Sequence, residues 1–165
     1  MSIKSILKSV IFDKEFEERI DFLSKVPIFA GIGKKGLGKI NTIMHFKTYL
    51  PDEIIFTEGK LGKALFIIKT GEVVISKKMG NAPESTDREK VMTKFHDGDF
   101  FGEMALLEEL PRSATARTSK RSDIFLIYKV RFDWLLEVYP AIGTKILHNL
   151  AKVLSSRLRD TNELV

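Results

Sequence analysis

Between Phe46 and Tyr128 the chain breaks into short runs of β-branched and aromatic residues separated by glycine, proline and aspartate, and this texture narrows the choice of fold more than any other feature. The predicted strands are Lys47 to Tyr49, Ile54 to Phe56, Ala64 to Lys69, Glu72 to Lys77, Val91 to Phe95, Ser113 to Thr118 and Asp123 to Lys129. Thr70-Gly71 reads as a tight hairpin between two of them. Strand alternation sets Val73 and Ile75 on one face and Val74 on the other. Many short strands at such spacing suggest a sandwich or jelly-roll barrel, here a β-roll, in a chain that is mainly β with helices before and after. Met79 to Lys90, with Gly80, Asn81, Pro83, Ser85 and several charges, reads as a mobile exposed loop.

The flanks have helical periodicity. Ile3, Ile6, Leu7, Val10 and Ile11 recur at helical spacing with Lys4 and Lys8 between them, and Phe12, Phe16, Ile20 and Leu23 continue along one side to Lys25. The domain's own body, a partner chain or a membrane surface would each cover such a face, and the absence of a strong basic face argues against membrane. Pro27 stops the helix. Gly31, Gly33, Gly36 and Gly38 with Lys34 and Lys35 lack the spacing of a phosphate loop and read as a flexible connection. Arg131 to Tyr139 is a predicted helix, and Pro140 suits the first turn of another. In that last helix Ile142, Ile146, Leu150, Leu154 and Leu158, flanked by Leu147 and Val153, form a stripe that must pack on the roll or on another subunit. Lys145, Lys152 and Arg157 take the polar face.

A length of 165 residues with 44% hydrophobic content fits one domain with a sizeable core, divided into an N-terminal helical segment at 1–25, a roll at 26–130 and C-terminal helices at 131–165. The 27 basic and 22 acidic residues permit nucleic acid or anionic membrane without implying either, and no block of about five or six like charges occurs. Without cysteine, disulfides and thiolate metal sites are excluded, which fits a reducing compartment. No run approaches eighteen apolar residues and the N-terminus lacks a clear signal peptide, so a cytoplasmic location is expected.

The chemistry concentrates between Phe100 and Thr115. Phe100-Phe101-Gly102-Glu103-Met104-Ala105-Leu106-Leu107 is followed, four residues on, by Arg112-Ser113-Ala114-Thr115. An arginine fork pairs with phosphate oxygens, and exposed backbone amides add partial positive charge toward the same anion. Arg112 with the amides of Ala105 and Ala114 supplies both, and Gly102 lets backbone approach a ligand. A carboxylate is the wrong charge for phosphate, so Glu103 must accept from another donor, for which a ribose hydroxyl is suited. An acid and a base nine residues apart would then grip two parts of one nucleotide. The plain alternative is a surface salt bridge in a loop.

Phe-Gly-Glu-Met-Ala-Leu-Leu followed by Pro-Arg-Ser-Ala-Thr resembles the phosphate-binding cassette of the cyclic-nucleotide-binding domain family. The spacing from Glu103 to Arg112 and the Pro111-Arg112 pair match that pattern. The likeness extends through Phe22-Leu23, Val26-Pro27-Ile28-Phe29, Glu58-Gly59, the Phe66 to Ile75 hairpin and Gly98-Asp99-Phe100, roughly residues 20 to 155. It implies a stand-alone domain similar to the sensor domain of the bacterial cAMP receptor proteins. Arg112 would hold the exocyclic phosphate oxygen, and Glu103 with the Gly102 backbone would take the ribose 2′-hydroxyl. Met104 lies within the same stretch, and Ser113 falls within reach of phosphate or base. Ile75, Met92 and Thr93 fall where the family lines its purine pocket, positions equally suited to barrel core. Trp134, Phe132 and Tyr139 are candidates to cap the purine, or plain core aromatics.

The implied ligand is cAMP, with cGMP the alternative because the Ser113 hydroxyl could accept from a guanine amine. No cofactor or metal is expected. Output would pass through the terminal helices to a protein effector or to a second copy. In the regulators that resemble this family a winged helix-turn-helix follows the long helix, and here no DNA-binding module is expected. Two other functions are compatible with the fold: a protein-interaction module that no longer takes nucleotide, and a cupin-like metal enzyme. The second needs clustered histidines, whereas His45, His96 and His148 are widely separated and no nucleophile motif is present, so an enzyme is not expected.

Overall fold

Eight antiparallel strands form two four-stranded sheets in a computed structural model that describes residues 3–79 and 89–162, with side chains from 13 to 79 and from 89 to 161. The strands are β1 (Met44–Tyr49), β2 (Ile54–Phe56), β3 (Ala64–Thr70), β4 (Val73–Lys78), β5 (Glu89–Phe95), β6 (Phe100–Phe101), β7 (Thr115–Thr118) and β8 (Ser122–Tyr128). One sheet runs β1-β8-β3-β6 and the other β2-β7-β4-β5. This is the β-roll expected from the strand texture. Its core is made by the inward positions of both sheets: Tyr49, Ala64, Phe66, Ile68, Val73, Phe101, Ala116, Ile124 and Leu126 are buried together, with Ile55, Phe56, Ile75 and Phe95 packed against them. Val73 and Ile75 share the inner face, as the alternation required.

Thr70-Gly71 is not a hairpin. β3 pairs with β6 and β8, whereas β4 pairs with β5 and β7, so the chain crosses from one sheet to the other at this glycine. The Gly71 amide donates to Asp97 Oδ1 at 2.7 Å and the Glu72 amide to Ser122 Oγ at 3.2 Å. Side chains thus replace the ladder bonds that a hairpin would have made. β6, which no sequence run announced, is a two-residue strand paired Phe66↔Phe101 and Ile67↔Phe100. Residues 80–88 of the expected loop lie outside the described residues, and its last two, Glu89 and Lys90, belong to β5.

By contact the chain resolves into two compact units, residues 43–133 and the helical stretches up to Thr42 and from Trp134 on. The helical unit holds α1 (Ile3–Lys25), a 3₁₀ turn at Pro27–Phe29, α2 (Lys34–Thr42) and α5 (Pro140–Asn162). The side chains of the apolar face from Ile3 to Ile11 lie outside the described residues. The glycine-rich stretch is not the flexible connection it suggested. α2 forms there because Leu37 and Ile40, three apart, are both buried, and a Cβ at Gly36 would come within 2.6 Å of Ile32 Cγ2 and 3.5 Å of Ile142 Cδ1. Gly36 permits close packing at this point. The stripe on α5 docks on the 3₁₀ turn. Ile146 and Leu150 are buried, and between them the Asn149 side-chain amide donates to the carbonyls of Ile28 at 3.1 Å and Ala30 at 2.9 Å. Its far end stays open, with Leu158 62% exposed.

Candidate functional site

The site grows from one cross-strand pair. Phe66 on β3 and Phe101 on β6 face each other in register, and their rings stack at 5.2 Å with 10° between planes. The chain leaves Phe101 through Gly102 at φ +73, a region that β-carbons disfavour. That turn aims the Gly102 carbonyl at Arg112, whose Nη1 donates to it at 3.1 Å while Nη2 donates to the Ala64 carbonyl at 2.8 Å. Beneath the guanidinium lies the Phe56 ring, with Cζ 4.1 Å from its centroid, and Phe66 is 5.6 Å away.

The Arg112 backbone is fixed as firmly as its side chain. Its N–H donates to the Lys60 carbonyl at 2.8 Å, and its carbonyl accepts from the Gly59 N–H at 2.9 Å. Leu61 and Pro111 form an isolated bridge alongside. Two glycines leave space for the guanidinium: a Cβ at Gly102 would fall 2.7 Å from Nη1, and one at Gly62 would fall 3.2 Å from Cζ and 2.9 Å from Ala105 Cβ. Burial draws the Arg112 pKa below the usual arginine value, and the Glu103 carboxylate works against that shift. The group stays cationic at any physiological pH. Two of its five N–H donors serve the carbonyls, and three remain to meet an anion.

Glu103 is buried, 9% exposed, at the head of a one-turn helix, α3 (Met104–Leu107). The Ala105 amide donates to the Gly102 carbonyl at 3.2 Å and the Leu106 amide to the Glu103 carbonyl at 3.0 Å, so the Ala105 N–H is engaged within the turn. Met104 and Ser113 are exposed and Ala114 is half-buried. Thr115 Oγ1 accepts from the Glu58 amide at 3.1 Å. Thus Gly102, Glu103, Ala105 and Arg112 come together on one side of the roll. The contributions of Phe56, Gly62 and Ala64 were not anticipated, and the Gly59 to Gly62 spacing is the one local hint of a close approach.

The expected purine-lining residues adjoin one another on β4 and β5 but differ in burial. Ile75 packs against the core and pairs with Thr93, which is exposed, and Met92 is 55% exposed at a register shift between β4 and β5. Phe132, within α4 (Lys129–Val138), is fully buried. Trp134 is 42% exposed and meets Tyr139 edge-on at 5.9 Å. The histidines occupy separate places: His45 lies against Tyr128 in the β1 to β8 ladder, His96 beside Glu72, and His148 on the exposed side of α5.

Away from this site, Glu72 joins three segments. Ser119 Oγ donates to it at 2.6 Å, Lys94 lies at 3.5 Å and His96 Nδ1 at 3.4 Å. The Ser119 hydrogen bond is the main reason its pKa lies below the usual carboxylate value; desolvation opposes this, and Lys94 and His96 add to it. A depressed folded-state pKa means stability that is fully present above the unfolded value and is lost as pH falls through the folded one. The thermal midpoint of Glu72→Gln should therefore lie below that of the parent chain at neutral pH. The gap should close below the ordinary carboxylate range; a gap that persists unchanged in acid would remove the ionic role.

The family model for the cyclic nucleotide-binding domain matches residues 46–139. The chain is 30% identical over 115 residues to a cAMP-dependent protein kinase regulatory subunit of Yarrowia lipolytica, covering 70% of this chain and 28% of that subunit. It is 27% identical over 136 residues to the Cyclic AMP receptor protein of Thermus thermophilus, covering 82% of this chain and 59% of the relative. It thus spans less than two thirds of either protein's length. Among solved structures, a cyclic nucleotide-binding domain from Methylobacillus flagellatus KT superposes with a TM-score of 0.79 at 27% identity, covering 93% of this chain and 83% of that one.

Proposed function

The chain belongs to the cyclic nucleotide-binding domain family, and from that premise we propose that it is a receptor for a cyclic purine nucleotide, cAMP in preference to cGMP, that signals by rearranging its helices onto a partner. The observation that carries this is the half-buried Arg112 guanidinium, held over the Phe56 ring with three donors to spare, beside the buried carboxylate of Glu103 on the same short loop. Arg112 binds the phosphate. Glu103 and the Gly102 backbone receive the ribose 2′-hydroxyl, and the Ala105 and Ala114 amides turn toward the anion as α3 adjusts. Met104 and Ser113 rim the site; Ile75, Met92 and Thr93 approach the base. The two relatives named for cAMP support the choice of ligand.

Output in this reading is conformational. A nucleotide that binds one arrangement of the terminal helices better shifts the population toward it by its differential affinity. A protein effector or a second copy then meets the altered helical surface, in a cytoplasmic setting. Limited proteolysis tests this: altered cleavage of α5 with ligand is expected, and identical cleavage with and without it would count against the mechanism. For the ribose contact, Glu103→Ala should weaken cAMP binding and narrow the preference for cAMP over its 2′-deoxy analogue, measured by calorimetry with both ligands. An undiminished preference would remove Glu103 from the ribose.

A further inference from the structure

We propose that Phe56 is a positioning residue for Arg112, its ring face setting the plane in which the guanidinium meets an anion; this rests on the nucleotide-receptor reading of the site. The two carbonyl contacts, from Nη1 to Gly102 and from Nη2 to Ala64, fix two points of the fork and leave it free to tilt about the line that joins them. The third constraint is the ring. Cζ stands 4.1 Å from the Phe56 centroid, within the range where the negative face of an aromatic ring attracts a cation, and the attraction strengthens where water is excluded.

Phe56 can serve as a reference plane because it is itself braced. Its ring meets Phe66 at 5.5 Å and Phe101 at 6.0 Å, those two stack on each other, and Phe95 stacks on Phe101 at 5.7 Å. Phe101 directly precedes Gly102, and Phe66 lies two residues beyond Ala64. The residues that brace the ring therefore sit on β3, which presents the Ala64 carbonyl, and on β6, which runs directly into Gly102, so ring and carbonyl positions are set together. An aliphatic side chain would fill the volume without orienting a planar cation.

The test separates electronics from shape. Phenylalanine carrying one, two or three ring fluorines is incorporated at position 56, and cAMP affinity is measured by calorimetry. Each fluorine withdraws charge from the ring face with little change in volume. The affinity should fall stepwise, by about threefold to thirtyfold across the series; Phe56→Leu should lose a similar factor, and Phe56→Tyr should restore it. A flat fluorine series would overturn the proposal. A ligand-free readout stands beside it: the Arg112 Nε–Hε proton should resonate upfield through the ring current and move downfield in Phe56→Leu, and an unmoved resonance would also overturn it. If the resonance moves while the parent chain binds neither cAMP nor cGMP, the nucleotide-receptor reading fails and the positioning role stands.

Discussion

Arg112→Ala is expected to bind cAMP about thirtyfold to several thousandfold more weakly than the parent chain, the effect of removing one member of a buried charge pair at about 2–5 kcal/mol. The magnitude follows from what the guanidinium already has. Its desolvation is met within the folded chain, by two carbonyls and an aromatic face, so the anion gains an oriented cation without ordering it. Arg112→Lys should recover little, because an ammonium cannot span both carbonyls and still present a fork to phosphate. Calorimetry on both variants checks this, with thermal unfolding alongside, since truncation strands the Ala64 carbonyl. Parental affinity in Arg112→Ala would end the proposed role.

Why this arginine was legible in the sequence while its supports were not is a matter of distance and of atom type. Gly102, Glu103 and Arg112 fall within one short stretch and act through side chains or through a backbone angle that glycine favours, so their residue types carry the signal. Ala64 acts through a carbonyl that every residue possesses, from 48 positions upstream. Phe56 looks like any inward strand residue. The strands declared themselves through β-branched alternation, except β6, whose two residues are too few to show a period. α2 was hidden by its glycines, which mark turns in isolation, yet here Gly36 admits Ile32 and Ile142. The partner of a strand is a tertiary choice, so Thr70-Gly71 presented the same local signal for a hairpin as for a crossing between sheets.

That crossing yields the largest expected effect on stability. A Cβ at Gly71 would stand 2.6 Å from Ser122 Cα, with the Ser122 side chain nearer still, at a backbone φ of +130. The obstacle is backbone of β8, which is paired on both sides by β1 and β3 and cannot give way as a flexible side-chain end would. Overpacking of about 1–3 kcal/mol and backbone strain of about 1–3 kcal/mol then combine, and Gly71→Ala should lose about 3–5 kcal/mol. Gly98→Ala is the matched control: its φ is +84, but nothing lies within 4 Å of the added carbon, so strain alone should cost about 1–2 kcal/mol. For a chain of this size each kcal/mol moves the melting temperature by about 2–4 °C. Gly71→Ala should melt about 10 °C lower than the parent and Gly98→Ala only a few degrees lower. Equal shifts in the two variants would mean that the chain does not cross between the sheets against Ser122, and the placement of β3 and β4 in opposite sheets would have to be abandoned.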